Sequence, residues 1–133
     1  MALTLALLPT AGRAQESGLK LAAERARGAW LAHDPVALIA ASPRLLLQLP
    51  GADPSVALGP AQAAALLADF LAPAQEVEVL LRAAREVELG RGYVELQRRY
   101  RVKGTQDVRS QVLLLGYRRD RGGWNLVEFR VIG

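Results

Sequence analysis

Cysteine is absent from this chain of 133 residues. That excludes a disulfide framework and any thiolate metal site, and it leaves the compartment open. Histidine occurs once, as His33, so a metal site built on paired imidazoles is excluded too. Aromatics are few, two Trp, three Tyr and two Phe. Tyr100, set between Arg99 and Arg101, alternates to the face opposite them, which argues against a base-stacking platform for nucleic acid. The apolar run Ala2–Leu8 falls well short of the ~20 residues that cross a bilayer, so no transmembrane segment is expected. No cofactor motif is present.

What is abundant is aliphatic. Half the chain is apolar, mostly Ala, Leu and Val, which excludes a disordered chain. The length suits one domain around a single core. The net charge is +4. It permits weak polyanion binding, but strand acids pair off part of the basic charge, so nucleic acid is an unlikely partner.

The stretch from Glu76 to Gly133 organises the rest. It predicts four strands, 76–89, 92–103, 108–119 and 124–132, separated by Gly90-Arg91-Gly92, Gly104-Thr105-Gln106-Asp107 and Asp120-Arg121-Gly122-Gly123. In the first strand Val77, Val79, Leu81, Ala83, Val87 and Leu89 alternate with Glu76, Glu78, Arg82, Glu86 and Glu88. A two-residue turn at Gly90-Arg91 predicts that Val87 pairs with Val94, Leu81 with Tyr100 and Val79 with Val102. On the reverse face it pairs Arg82 with Arg99 and Glu78 with Lys103. Strands three and four are apolar on both faces, as in Val112–Leu115 and Trp124–Ile132. A sheet with one wet face does not read so. Either a homodimer packs through the sheet face or the amino-terminal segment covers it.

Before the sheet, residues 1–14 resemble the apolar and cleavage regions of a signal peptide, with Gly12-Arg13-Ala14 as the cleavage site. The positively charged start is missing. The pattern predicts an exported, periplasmic or secreted, domain over 15–133; the competing reading is an extension of the first helix or a strand packed on the domain. Ser17 is the expected N-cap of a helix to about Ala32, with Leu19, Ala22, Ala23, Ala26 and Trp30 on one face. Asp34-Pro35 restarts the chain as a short helix, Val36–Ala41. Arg44–Leu49 reads as a short buried strand. Gly59-Pro60 opens a further helix that presents Ala63, Leu66, Leu67, Phe70 and Leu71 and stops at Pro73. The fold class is therefore α+β: a curved antiparallel sheet, four-strand meander plus a short strand, wrapped round amino-terminal helices.

Two charged residues, Arg98 and Glu128, sit in otherwise apolar rows. They either meet under the helices as a buried pair or polar ligand site, or lie at the sheet margin and reach water. With Trp30, Tyr100 and Tyr117 they are the pocket candidates. Trp30 reads first as a packing anchor.

The order of elements resembles the nuclear transport factor 2-like superfamily, the cone-shaped fold shared with ketosteroid isomerase. The markers are His33-Asp34, Leu49-Pro50-Gly51, Gly59 and Gly123-Trp124-x-Leu126. The chain is also similar to a small bacterial family of unknown function within that superfamily. The resemblance implies a pocket between sheet and helices, and commonly a dimer. It does not imply an activity, because the fold hosts many. The isomerase's general-base Asp aligns with Leu49, its oxyanion-hole Tyr near Ala26 and its protonated Asp near Leu115. Apolar residues there leave that chemistry without a base or donors. The first expectation is thus a non-enzymatic, exported, homodimeric binding or assembly domain. The second is a pocket protein or enzyme for a small hydrophobic ligand, and the third a weak polyanion binder.

Overall fold

The computed structural model of the protein describes residues 10–133, with side chains from Gly18 onward. The elements run α1 (Thr10–Leu31), α2 (Pro35–Leu38), β1 (Leu46–Gln48), α3 (Pro60–Leu71), β2 (Ala74–Glu88), β3 (Arg91–Val102), β4 (Val108–Asp120) and β5 (Gly123–Ile132). All four long strands are present, their ends within two residues of those expected. The sheet order is β1-β5-β4-β3-β2. The meander is antiparallel, but β1 runs parallel to β5, with Leu47 opposite Phe129, so the five-stranded sheet is mixed.

The helices cover one face of this sheet. From α1, Leu19, Ala23, Ala26 and Trp30 are buried, and from α3, Ala63, Leu67 and Leu71. They meet Val94, Leu96, Leu113, Leu115 and Phe129 of the strands. Each large aliphatic side chain contributes about 1.5–3 kcal/mol by leaving water. The alanine-rich helix faces keep that layer thin, and α1 comes close to β3 at Gly92. A Cβ there would stand 2.7 Å from Leu19 Cδ1, so any larger residue would force the Leu19 side chain to move.

Helix ends follow the expected chemistry in part. Asp34 caps α2, accepting from Ala37 N at 3.1 Å, and Pro35 occupies its first turn. Ser17 lies inside α1, because the helix begins at Thr10; the expected cap there is corrected. Of the leader proposed over 1–14, residues 1–9 lie outside the described residues and 10–14 begin α1. The short helix ends at Leu38 instead of Ala41, where the C-cap residue Ile39 returns its N–H to Ala37 and Pro35 carbonyls.

The β2–β3 register differs from expectation. Leu89 and Gly90 form the turn, Glu88 faces Arg91, and Gly90 takes φ 75°, a left-handed conformation that glycine adopts without steric cost. Shifts in pairing at Glu76/Glu78, Leu81/Ala83 and Glu86/Glu88 then carry the strand further out of step. Val79 pairs with Arg98, Leu81 with Leu96, and Glu78 with Arg99. Each β-bulge inserts a residue and resets which side chains face the helices. Val77, Val87 and Leu89, expected inward, are 41%, 57% and 85% exposed.

The outer face carries two mixed rows across the sheet. One is Leu80, Gln97, Val112 and Ile132; the next is Ala83, Glu95, Leu114 and Arg130. Leu80 and Ile132 are exposed, while Val112 and Leu114 are half-buried by their strand neighbours. No described residue outside the sheet is packed over this patch as part of the core.

Candidate functional site

Arg98 lies on β3 in the inward row with Gly92, Val94 and Leu96. Its side chain is almost wholly buried. A buried guanidinium has to be paired and hydrogen-bonded to be tolerated. Its partner is Glu76, not Glu128. Arg98 Nε donates to Glu76 Oε2 at 3.1 Å and Nη2 donates to Glu76 Oε1, the two-pronged geometry guanidinium favours with carboxylate. Nη1 donates to Gln111 Oε1 at 2.9 Å from the facing position on β4. Three rings close round the cation: Tyr100 at 4.0 Å, Trp30 at 5.1 Å and Phe70 at 5.7 Å from centroid to Cζ. Trp30 in turn stacks on Phe129 at 5.3 Å.

Glu76 reaches this place because of the first β2 bulge. Simple alternation sets it beside Glu78 on the wet face. Val77 is the extra residue, so Glu76 turns inward and Val77 outward. A fourth group joins it from the end of α1. His33 Nε2 is 3.1 Å from Glu76 Oε1. His33 has φ 54°. Its N–H bonds to Trp30 O at 2.9 Å and the next, Asp34 N–H, to Ala29 O at 2.9 Å. This is the helix-ending arrangement in which the left-handed residue is usually glycine. Histidine accepts the backbone strain there while its ring reaches the buried carboxylate.

A second polar locus lies six residues further along the inward row of β4. Tyr117 is buried, and burial pushes its hydroxyl pKa up from the ordinary value. Desolvation is the whole cause, with no hydrogen bond contributing. Tyr117 lines a crevice of about 220 Å³ between α1, the residues from α2 to Ser42, and the β4–β5 pair. Ser42 lines it too, and its buried Oγ has no hydrogen-bond partner. An unmet buried hydroxyl costs about 1–3 kcal/mol. Arg25 of α1 is exposed and also lines the crevice.

The five candidates thus separate. Trp30, Arg98 and Tyr100 come together in one cluster, and Tyr117 stands apart at the crevice. Glu128 pairs with Gly116 and with the exposed Leu46 on the outer face, in a depression shared with Gln48 and Arg130. The expected meeting of Arg98 with Glu128 is corrected: the register shift between Gly116 and Tyr117 leaves Glu128 opposite Gly116, one step from inward-facing Phe129. Glu76, Gln111, His33 and Ser42 were not foreseen. The one available signal was that a buried Arg98 needs an acid, and the sequence offers several at equal spacing. Ala26 and Leu115 are buried and Leu49 is half-buried. No group of three acids or histidines among the described residues could hold a metal ion. Among the described residues no helix is long and apolar enough to cross a membrane.

No protein-family model and no curated protein matches the chain. Solved structures do. A ketosteroid isomerase-like protein from Erwinia carotovora atroseptica superposes with a TM-score of 0.72 at 17% identity, over 88% of this chain and 94% of its own. A nuclear transport factor 2-like protein with a cystatin-like fold from Novosphingobium aromaticivorans gives 0.68 at 19% identity, over 97% and 90%. A protein of ketosteroid isomerase-like fold from Catenulispora acidiphila, in complex with trimethylamine, gives 0.65 at 16%, over 84% of each chain. At these identities the likeness is one of fold, and the chain has the cone-shaped α+β fold of the nuclear transport factor 2-like superfamily.

Proposed function

We propose that the protein is a non-catalytic, exported domain that acts by binding or assembly as a homodimer. The observation that supports it is the state of the Glu76 carboxylate. It is the acid on the helix-covered face near Arg98, and Arg98 and His33 already engage it. A carboxylate whose two oxygens already accept from a guanidinium has few lone pairs left to offer a substrate. Trp30, Phe70 and Tyr100 close round the Arg98 cation, and beyond them a hollow of about 380 Å³ is lined by Asp69, Phe70, Arg98 and Tyr100.

The dimer uses the outer sheet face. Leu80, Val112, Leu114 and Ile132 form an apolar patch there, and Leu114 stands between Glu95 and Arg130 in one row. A two-fold copy could set each Glu95 against the other chain's Arg130 over a closed apolar centre. Sedimentation velocity over a dilution series tests this, on protein secreted from a host with an export pathway. A dimer that becomes a monomer in the Leu114→Arg variant, with an amino terminus at Gln15, is expected. A monomer at every concentration removes the assembly role, and an unprocessed, retained chain removes export.

A second reading, a carrier of a small molecule, is favoured by the Tyr117 crevice. The trimethylamine held by the Catenulispora neighbour is a poor guide to its ligand, because no carboxylate lines the crevice to meet a cationic amine.

A further inference from the structure

In the crevice beside Tyr117 the two hydroxyls of the lining have no partner among the described residues. Ser42 Oγ is buried and unpartnered. The Tyr117 hydroxyl makes no hydrogen bond to a described residue, and its raised pKa keeps it a neutral donor. Arg25 forms no salt bridge with a described residue. The lining contains no Asp or Glu; its walls are alanines with Leu38, Trp124 and Leu126. Two hydroxyls and one cation above apolar walls select a ligand that brings acceptors and negative charge. The volume of about 220 Å³ is that of roughly seven waters at ~30 Å³ each. It is smaller than the ~300–1,000 Å³ of sites that enclose drug-sized molecules, so a steroid or nucleotide is too large.

We infer that this crevice binds a small monocarboxylate with a compact apolar body, its carboxylate facing Arg25, Tyr117 and Ser42 and its body against Leu38 and Leu126. The inference rests on the chain being a binding module and names the ligand class. It is independent of the sheet-face dimer, since α1, the α2 region and the far face of β4–β5 build it.

Benzoate is the test probe, with benzamide and benzylamine as the neutral and cationic isosteres. Binding is followed by calorimetry and by the emission of Trp124, which lines the crevice. Saturable binding of benzoate is expected, about tenfold weaker for benzamide and undetectable for benzylamine. Arg25→Gln and Tyr117→Phe should each weaken benzoate by about tenfold. Arg25 is exposed, so Arg25→Gln is expected to fold as the parent does, and circular dichroism checks both variants. No saturable benzoate binding, equal affinity for the three probes, or affinity unchanged in both variants overturns the inference. Chemical conversion of benzoate during the titration would sink the non-catalytic reading while leaving the site standing.

Discussion

Gln111 and Tyr117 stand on the same side of β4, six residues or about 20 Å apart, and they mark two kinds of polar burial. At Gln111 the charged groups have been answered, while the buried Trp30 Nε1 beside them has no partner among the described residues. Arg98 donates to Glu76 and Gln111, His33 reaches Glu76, and three rings cover the cation. At Tyr117 the groups are unanswered: one hydroxyl without a bond, another buried at Ser42, and Arg25 at the rim. A satisfied buried network rigidifies the interior and leaves little to offer a ligand. An unsatisfied one carries a standing cost that a ligand can remove. The difference separates what holds this cone shut from what keeps part of it available.

The largest effect expected is at the closed cluster. Glu76→Ala leaves the Arg98 cation buried and without its acid, a loss of about 3–5 kcal/mol. Urea unfolding measures it. The double change Glu76→Leu with Arg98→Met should recover much of that loss, since apolar side chains of similar size can replace a buried pair. A double variant no better than Glu76→Ala would mean that the pair is not the unit of stability.

His33 sharpens the same contrast at a smaller scale. His33→Ala loses the bond to Glu76 and keeps the left-handed backbone strain. His33→Gly loses the bond but relieves the strain, so it should be the more stable of the two by about 1 kcal/mol. Equal midpoints would show that the helix end rearranges.

The smallest effect is expected at the open cluster. Tyr117→Phe removes a hydroxyl that bonds no described residue, so stability near neutral pH should move by less than about 0.5 kcal/mol. At high pH the two proteins should part. The Tyr117 pKa is raised in the fold, so its contribution is fully present below the unfolded value of about 10. Above that, the unfolded chain ionises first and stability falls as pH rises. Tyr117→Phe should therefore lose less stability than the parent above about pH 10; identical alkaline profiles would place the hydroxyl in water.

How much of this was legible depended on local pattern. Arg98 stood out in the row of Val94 and Leu96 because β3 alternates without interruption, but whether it was buried or lay at the sheet margin stayed open until the fold buried it. Its partner did not stand out. Glu76 stands two residues from Glu78, and alternation alone puts both on the wet face. Glu128 looked equally eligible, and only pairing with Gly116 placed it outside. Ser42 and Tyr117 are 75 residues apart by number (117 − 42), and no periodicity joins them. His33 in a left-handed conformation was invisible for another reason: glycine is the residue that announces that geometry.

The sequence by itself determined the elements and their order, the helix faces through Leu19, Ala23 and Trp30, the cap at Asp34 and the class of fold. These follow from spacing and from which side chains can leave water. Tertiary structure decided the pairings: the register of β2, the inward turn of Glu76, the parallel seating of β1 and the crevice at Tyr117. The physical reason is that one β-bulge reverses the facing of every residue beyond it. In β2 the bulge at Val77, across from Tyr100 and Arg99, turns Glu76 inward, where it meets Arg98.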